Sequence, residues 1–213
     1  MRTAFAAAVL FGAAALALAQ PPKDPPPEPV PVAKDGSRYG VKVRLKQYPQ
    51  AAPKEALKSV VAAVEAADYP YLVAQLLDPK FVDDAVAERA KLLEPAAEAE
   101  LAQLRDFQRA NPNTVAPEDR VPLDPKGLRA LAAVKARDRG YRQLLRDIRQ
   151  KLTDDPQAVK EMRRIVRDGS FADADPAATA THPDVKGRAL YFKKGGERWF
   201  LENRQADEPK KEP

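Results

Sequence analysis

The sequence predicts an α+β fold in which N-terminal helices and a long, charged helical insertion pack on a small antiparallel sheet ending in a β-hairpin. Apolar residues recur at helical spacing between residues 53 and 77. Charged residues dominate two helical arms between residues 83 and 167, which are separated by a proline-bearing loop. Alternating apolar runs flank Gly195 and Gly196 near the end of the chain, a pattern typical of a hairpin.

Residues 1–19 have the organisation of an export signal. Arg2 gives a positive start, residues 4–18 are small and apolar, and residues 17–19 offer the small-x-small pattern that signal peptidase cleaves after Ala19. The apolar run is shorter than the roughly 20 residues of a membrane-spanning helix, so an uncleaved anchor is the less favoured alternative. We therefore expect a periplasmic or extracellular protein with no stable membrane anchor after cleavage.

The remaining chain is long enough for one ordinary domain. Residues 20–37 are rich in proline, lysine and acidic residues, and this composition predicts a disordered tether. A single α+β domain is predicted for residues 38–204, with the helical insertion at residues 83–167. Residues 205–213 are predicted to form a disordered, charged tail.

Residue types that are absent or rare exclude several kinds of site. The chain has no cysteine, which excludes disulfides, zinc–thiolate sites, thiol nucleophiles and the lipidated cysteine of a lipoprotein. With one histidine, a multi-histidine metal site is excluded and a Ser-His-Asp triad depends on His182. The net charge of +5 is mild and does not predict a nucleic-acid partner. No cofactor and no metal site are predicted.

The domain is predicted to begin with a strand at residues 39–46. Four apolar residues there alternate with glycine and basic residues, namely Tyr39, Val41, Val43 and Leu45. The basic face of such a strand either touches an anionic surface or discourages aggregation at a sheet edge, and we favour the second interpretation.

Helices are predicted to follow this strand. Pro53 is expected at the first position of a helix, where its missing N–H has no cost, and a second short helix is predicted at residues 71–77. Asp78 and Pro79 are expected to start the next helix, with Phe81 and Val82 facing inward.

The two arms of the insertion carry opposite charge. Residues 83–124 contain ten acidic and five basic residues, whereas residues 126–167 contain thirteen basic and five acidic residues. The simplest geometry folds the arms into an antiparallel pair whose charges complement each other. In the alternative, the basic arm docks on an anionic polymer or lipid headgroups through four arginines: Arg139, Arg142, Arg146 and Arg149.

The hairpin near the C-terminus is predicted to have apolar residues on both faces. A two-residue turn at Gly195 and Gly196 pairs Phe192 with Trp199 and Tyr191 with Phe200. Alternation places one apolar patch on one face (Leu190, Phe192, Trp199 and Leu201) and an aromatic pair on the other. Either both faces are covered or the pair lines a pocket, so Tyr191, Phe200 and Trp199 are candidate ligand-pocket residues. Residues 171–181 are predicted to be a weak strand or a loop.

Together these segments resemble the cone-shaped α+β superfamily named after nuclear transport factor two, in its small exported bacterial versions. The resemblance rests on the first helix, on Ala67-Asp68-Tyr69 and the short helix after it, and on the two hairpin strands, Leu190-Tyr191-Phe192-Lys193 and Arg198-Trp199-Phe200-Leu201. It implies a pocket between the sheet and the early helices. In that family such a pocket is catalytic, ligand-binding or filled.

The acid–base candidates are His182 and Asp184, just before the hairpin. A histidine followed by proline in a turn is usually an exposed loop residue, so catalysis is the less favoured interpretation. Asp173 and Asp175 lack the glycine and distal glutamate of a calcium loop.

The predicted function is a non-catalytic, exported domain for binding or scaffolding in the cell envelope. The partner classes that fit are an envelope protein, an anionic polymer and a small ligand. The alternative is a small-molecule enzyme of the cone-shaped superfamily, with a pocket acid or base.

Overall fold

The structure is a computed structural model that describes residues 36–185 and 188–204. The predicted export signal, nearly all of the predicted tether and the predicted tail lie outside the described residues. The helical elements are α1 (Pro53–Glu65), α2 (Tyr69–Tyr71), a π-helix (Leu72–Leu76), α3 (Pro79–Ala110), a 3-10 turn (Pro117–Asp119), α4 (Pro125–Asp154) and α5 (Pro156–Asp168). The strands are β1 (Ser170–Ala174), β2 (Ala177–Thr181), β3 (Leu190–Gly195) and β4 (Arg198–Leu201), which form one antiparallel sheet in chain order. The predicted α+β class is confirmed.

Three of the helices begin at an Asp-Pro pair. The carboxylates of Asp78, Asp124 and Asp155 each accept a hydrogen bond from a backbone N–H in the first turn of α3, α4 and α5, respectively. The proline that follows each aspartate lacks an N–H, so the first turn has one donor fewer to satisfy. The predicted start of α3 at Asp78 and Pro79 is confirmed.

The predicted strand at residues 39–46 is wrong. Residues 38–41 form a tight turn, in which Tyr39 and Gly40 both have positive φ and Arg38 and Val41 form an isolated bridge. The side chain of Arg38 is buried and donates hydrogen bonds to the Ala74 carbonyl (2.9 Å) and to Asp83 (2.6 Å). The segment is thus held by polar side chains, a form of anchoring that alternation of apolar residues does not reveal.

The short helix predicted at residues 71–77 is mostly a π-helix. The last carbonyls of a helix have no intrahelical partners, and here other segments supply the donors. Arg38 bonds the Ala74 carbonyl, and the Gln50 side chain donates to the Gln75 carbonyl (2.9 Å). The Gln75 side chain is itself buried and donates to the Val41 carbonyl (2.7 Å). This polar network ties residues 36–50 to the π-helix.

The predicted hairpin is present, but its turn lies one residue further along the chain. Phe192 pairs with Leu201 and Gly195 pairs with Arg198, so the turn residues are Gly196 and Glu197. Gly196 has a φ of +63°, which glycine adopts without strain. The predicted pairings of Phe192 with Trp199 and of Tyr191 with Phe200 are wrong, since Trp199 pairs with Lys194 and Phe200 with Lys193. The predicted apolar patch survives because the shift keeps its members on the same face, and all four pack in the largest core cluster.

The weak strand or loop predicted at residues 171–181 is a second hairpin, formed by β1 and β2. β1 is mostly exposed, which explains its weak apolar signal. At the other edge of the sheet, β4 is covered, because the backbone N–H of Asp78 donates to the Leu201 carbonyl (2.8 Å).

α3 and α4 form the predicted antiparallel pair, but the second predicted segment does not continue to residue 167 as one helix, since α4 ends at Asp154 and α5 packs on α1 instead. Ion pairs join α3 to α4 along their length: Arg89–Asp147 (2.7 Å), Glu98–Arg129 (4.0 Å) and Glu100–Arg139. A Cβ added at Gly140 would lie 2.9 Å from the Val86 carbonyl oxygen, so glycine is what permits the close approach of the helices there. The loop between them spans residues 111–124 and includes the 3-10 turn.

Apolar packing divides the described residues into a head and an arm. We call residues 90–139 the arm and the remaining described residues the head. The largest cluster lies in the head between α1, α5 and the sheet, and includes Leu57, Tyr71, Phe192 and Trp199. A second cluster lies where α3 and α4 join the head, and includes Val82, Val86 and Leu144. The third lies within the arm: Ala97, Leu101, Val121, Leu128, Ala132 and Ala136.

Candidate functional site

A pocket of about 390 Å³ opens in the head, beside the start of the arm. Side chains from α1, the π-helix, α3, α4, α5 and β4 line it, so it exists only in the folded protein. Its apolar wall includes Val64, Leu77, Phe81, Ile148, Leu152 and Leu201. A cavity of this size with mostly apolar walls is typical of a small-molecule site.

Phe81 and Val82 show how the sequence produces this wall. Neighbouring residues on a helix point about 100° apart, so the two side chains differ in depth. Val82 is fully buried in the cluster where α3 and α4 join the head, whereas Phe81 is half-buried, packs against that cluster and lines the pocket. The prediction that both residues face inward is confirmed.

Polar side chains border one side of the pocket. The side chain of Arg89 on α3 donates to the Asp147 carboxylate on α4 (2.7 Å) and to the Ala85 carbonyl of its own helix (2.9 Å). Its Nε is buried with no hydrogen-bond partner within the part of the chain that the structure describes. The remaining polar lining consists of Glu88, Lys151, Glu202 and Asn203. The pocket is thus amphipathic, with both signs of charge on its polar side.

The aromatic residues predicted to line a pocket lie elsewhere on the hairpin. Trp199 is buried in the head core and Phe200 is buried on the opposite face of β4, with the guanidinium of Arg198 5.0 Å from its ring centre. Tyr191 is half-exposed, and the guanidinium of Arg204 lies 4.7 Å from its ring centre. Leu201, two residues from Trp199 along β4, is the hairpin residue that reaches the pocket wall.

The two acid–base candidates contact each other in the connection between β2 and β3. Nδ1 of His182 accepts a hydrogen bond from the backbone N–H of Asp184 (3.1 Å). His182 is half-buried and Asp184 is exposed, and neither lines the pocket. The structure therefore does not bring the predicted acid–base residues to the cavity that a substrate would enter.

The four arginines predicted to contact an anionic partner share one face of α4, since they follow one another at spacings of three and four residues. Arg139 pairs with Glu100 on α3, and Arg142 pairs with Asp138 on its own helix. The guanidinium of Arg149 lies 5.9 Å from the Tyr69 ring centre. Arg146 is exposed and has no ion-pair partner among the described residues. Half of this set therefore serves internal pairing.

Outside the pocket, burial shifts the pKa of two tyrosines and ion pairing shifts the pKa of one glutamate. Tyr39 and Tyr141 stack with ring centres 4.3 Å apart, and burial raises the pKa of both phenols well above the usual value. The hydrogen bond from Arg139 lowers the pKa of Glu100.

Within residues 36–185 and 188–204, no group of three acidic or histidine side chains is placed to hold a metal ion. No helix in that part of the chain is long and apolar enough to cross a membrane.

No family model, no curated protein and no solved structure matches this chain. The pocket is therefore a candidate site on the basis of its geometry alone. Sequence patterns did not indicate Ala85, Arg89 or Lys151, because these residues meet only through the packing of α3 and α4 on the head. A local signal near the site is the inward position that the sequence predicts for Phe81.

Proposed function

We propose that the protein is an exported, non-catalytic binding domain that holds a small, mostly apolar ligand in the pocket of the head. The observation that carries this proposal is the pocket itself, about 390 Å³ with a largely apolar wall. Export is supported by the sequence of residues 1–19 alone. Kinship with the cone-shaped superfamily remains part of the proposal, and the packing of α1 on an antiparallel sheet supports it.

The polar side of the pocket suggests how such a ligand is oriented. The Arg89–Asp147 pair links α3 to α4, so its charges are mutually compensated and its position is fixed by both helices. Lys151, Glu202 and Asn203 offer further donors and acceptors. An amphipathic ligand would place its apolar body against Phe81 and Ile148 and its polar end beside these groups. The apolar contacts supply most of the affinity, since burial contributes about 25 cal/mol per Å² of apolar surface.

The test is a titration of the purified protein with N-phenyl-1-naphthylamine, an uncharged apolar fluorescent probe. Ala85→Trp fills the pocket from the α3 side, and we expect at least a tenfold loss of affinity for the probe. Ala133→Trp is the matched control, because Ala133 is exposed on α4 away from the pocket, and its affinity should equal that of the unchanged protein. Circular dichroism checks that both variants are folded.

Equal probe affinity in Ala85→Trp and the unchanged protein would contradict the proposal, because the probe would then bind an exposed apolar surface. The proposal would also be contradicted if the unchanged protein did not bind the probe.

A further inference from the structure

An exposed, largely apolar stripe runs along α3. Its members follow one another at spacings of four, three, four, four and three residues, which keeps them on one helical face: Leu92, Ala96, Ala99, Gln103, Phe107 and Ala110. All six are exposed, and Leu92 and Phe107 retain 81% and 55% of their accessible surface. At 1.5 Å per residue, the stripe is about 27 Å long.

The arm does not cover this stripe with its own residues. α3 packs on α4 through a different face, which includes the fully buried Ala97 and Leu101. A two-helix hairpin can bury one face of each helix, so the opposite face of α3 stays open. An exposed leucine and phenylalanine on one continuous stripe are typical of an association surface.

The stripe fits a second copy of itself when the two helices run antiparallel. In that arrangement Leu92 of one copy lies opposite Phe107 of the other, and Ala96 lies opposite Gln103. The small Ala96 and Ala99 stand near the centre, where they permit close approach of the two backbones. A two-fold axis near Ala99 relates the copies, as a self-complementary interface requires.

Charges beside the stripe support the antiparallel orientation. Four exposed residues flank one side of it, in the order acidic, basic, acidic, basic: Glu88, Lys91, Asp106 and Arg109. Antiparallel pairing sets Glu88 against Arg109 of the other copy, and Lys91 against Asp106. The two-fold axis repeats each pair. Parallel pairing would set like charges against each other, which opposes association.

We propose that the protein forms a two-fold symmetric dimer through antiparallel packing of α3 from two copies. The heads then lie at opposite ends of the dimer. Because Glu88 also lines the pocket, Arg109 of the second copy lies close to the pocket of the first. The dimer does not depend on ligand binding, and the proposed function does not depend on the dimer.

The test measures the molar mass of the purified protein by light scattering or sedimentation. We expect the mass of two chains. Phe107→Glu and Leu92→Glu should each reduce it to the mass of one chain, because a carboxylate would be buried at the interface. Val134→Glu is the matched control, since Val134 is 64% exposed on α4 and lies outside the stripe, and it should leave the dimer intact.

The absence of cysteine allows a direct test of the register. Ala99→Cys should form a disulfide-linked dimer under mild oxidation, because the two-fold axis brings its two copies together, whereas Val134→Cys should not. Glu88→Arg should weaken the dimer, and Arg109→Glu in the same chain should restore it.

Three outcomes overturn the proposal. They are a one-chain mass for the unchanged protein, a dimer that survives Phe107→Glu, and cross-linking through position 134 rather than 99. Either of the last two results would show that the copies associate through another surface.

Discussion

The head and the arm differ in what fills their interiors. The head buries large aromatic and aliphatic side chains, among them Tyr48, Tyr71 and Phe192, each 2% exposed or less. Half of the buried residues of the arm are alanines, and Leu101, Val121 and Leu128 are its larger core residues. Large side chains remove more apolar surface from water, so the head is stabilised chiefly by burial. The arm depends on close helix contact and on ion pairs between α3 and α4.

The two proposed binding surfaces differ in the same way. The pocket lies in the head, and it shares Val60, Leu72 and Met162 with the largest core cluster. The exposed stripe lies on the arm, because a two-helix hairpin buries only one face of each helix. The pocket thus forms between packed elements, whereas the stripe remains where no further layer covers α3.

The largest effect is expected from removing an aromatic side chain of the head. Phe192 is fully buried, and Phe192→Ala should lower the free energy of unfolding by about 3–5 kcal/mol. Leu45→Ala is the control, because Leu45 is 47% exposed, and its effect should be roughly 0.5–1 kcal/mol. Urea denaturation followed by circular dichroism measures both. Similar losses for the two variants would show that the head is not stabilised mainly by burial.

The packing of α3 on α4 should respond most to a loss of close contact where the two helices join the head. Gly140→Val forces a side chain against the Val86 carbonyl and should cost about 2–3 kcal/mol. Ala133→Val adds a similar volume on the exposed side of α4 and should change the free energy of unfolding by less than about 0.5 kcal/mol. If Gly140→Val is as stable as the unchanged protein, the helices do not depend on this contact.

Alkaline pH should destabilise the head where the Tyr39 ring stacks on Tyr141 of α4. Burial raises the pKa of Tyr39 and Tyr141 in the folded protein, so folding favours their neutral forms. Their contribution is complete below the unfolded pKa, about 10, and is lost as the pH rises above it. Tyr141→Phe should make denaturant stability less sensitive to pH in that range. Unchanged sensitivity in this variant would assign the effect to other groups.

The smallest effect should come from the ion pair on the arm surface. Arg139 lowers the pKa of Glu100, so the contribution of this pair is complete above the unfolded pKa of glutamate and is lost as the pH falls. Acidification should therefore reduce helical circular dichroism before it changes the fluorescence of Trp199, the single tryptophan, which reports on the head. Glu100→Gln should bring the two transitions closer together. Coincident transitions in the unchanged protein would contradict the separation of head and arm.

Local patterns in the sequence predicted the elements but not their meeting points. Residue spacing predicts the apolar stripe of α1 and the Asp-Pro start of α3. It also predicts the opposite charges of the two segments of the helical insertion and the apolar faces of the hairpin. The π-helix was not, because its carbonyls are satisfied by Arg38 and Gln50, which are distant in sequence. The hairpin register was also missed, since two consecutive glycines leave open which of them takes the positive φ.

The candidate site was less predictable than the fold. The sequence predicts Tyr191, Trp199 and Phe200 as pocket residues because the hairpin has apolar residues on both faces, but Trp199 and Phe200 are buried instead. The pocket instead combines residues from α1 to β4, and no stretch of sequence carries that information. His182 and Asp184 remain predictions that only a turnover assay of a His182→Ala variant can test.

The pocket is tested most directly by amide hydrogen exchange of the purified protein, with and without N-phenyl-1-naphthylamine. Binding in the pocket should slow exchange in the elements that line it, at residues 72–89, 144–152 and 201–203, and leave residues 104–128 at the end of the arm unchanged. Protection confined to the arm, or absent everywhere at saturating probe, would contradict the assignment of the pocket as the binding site.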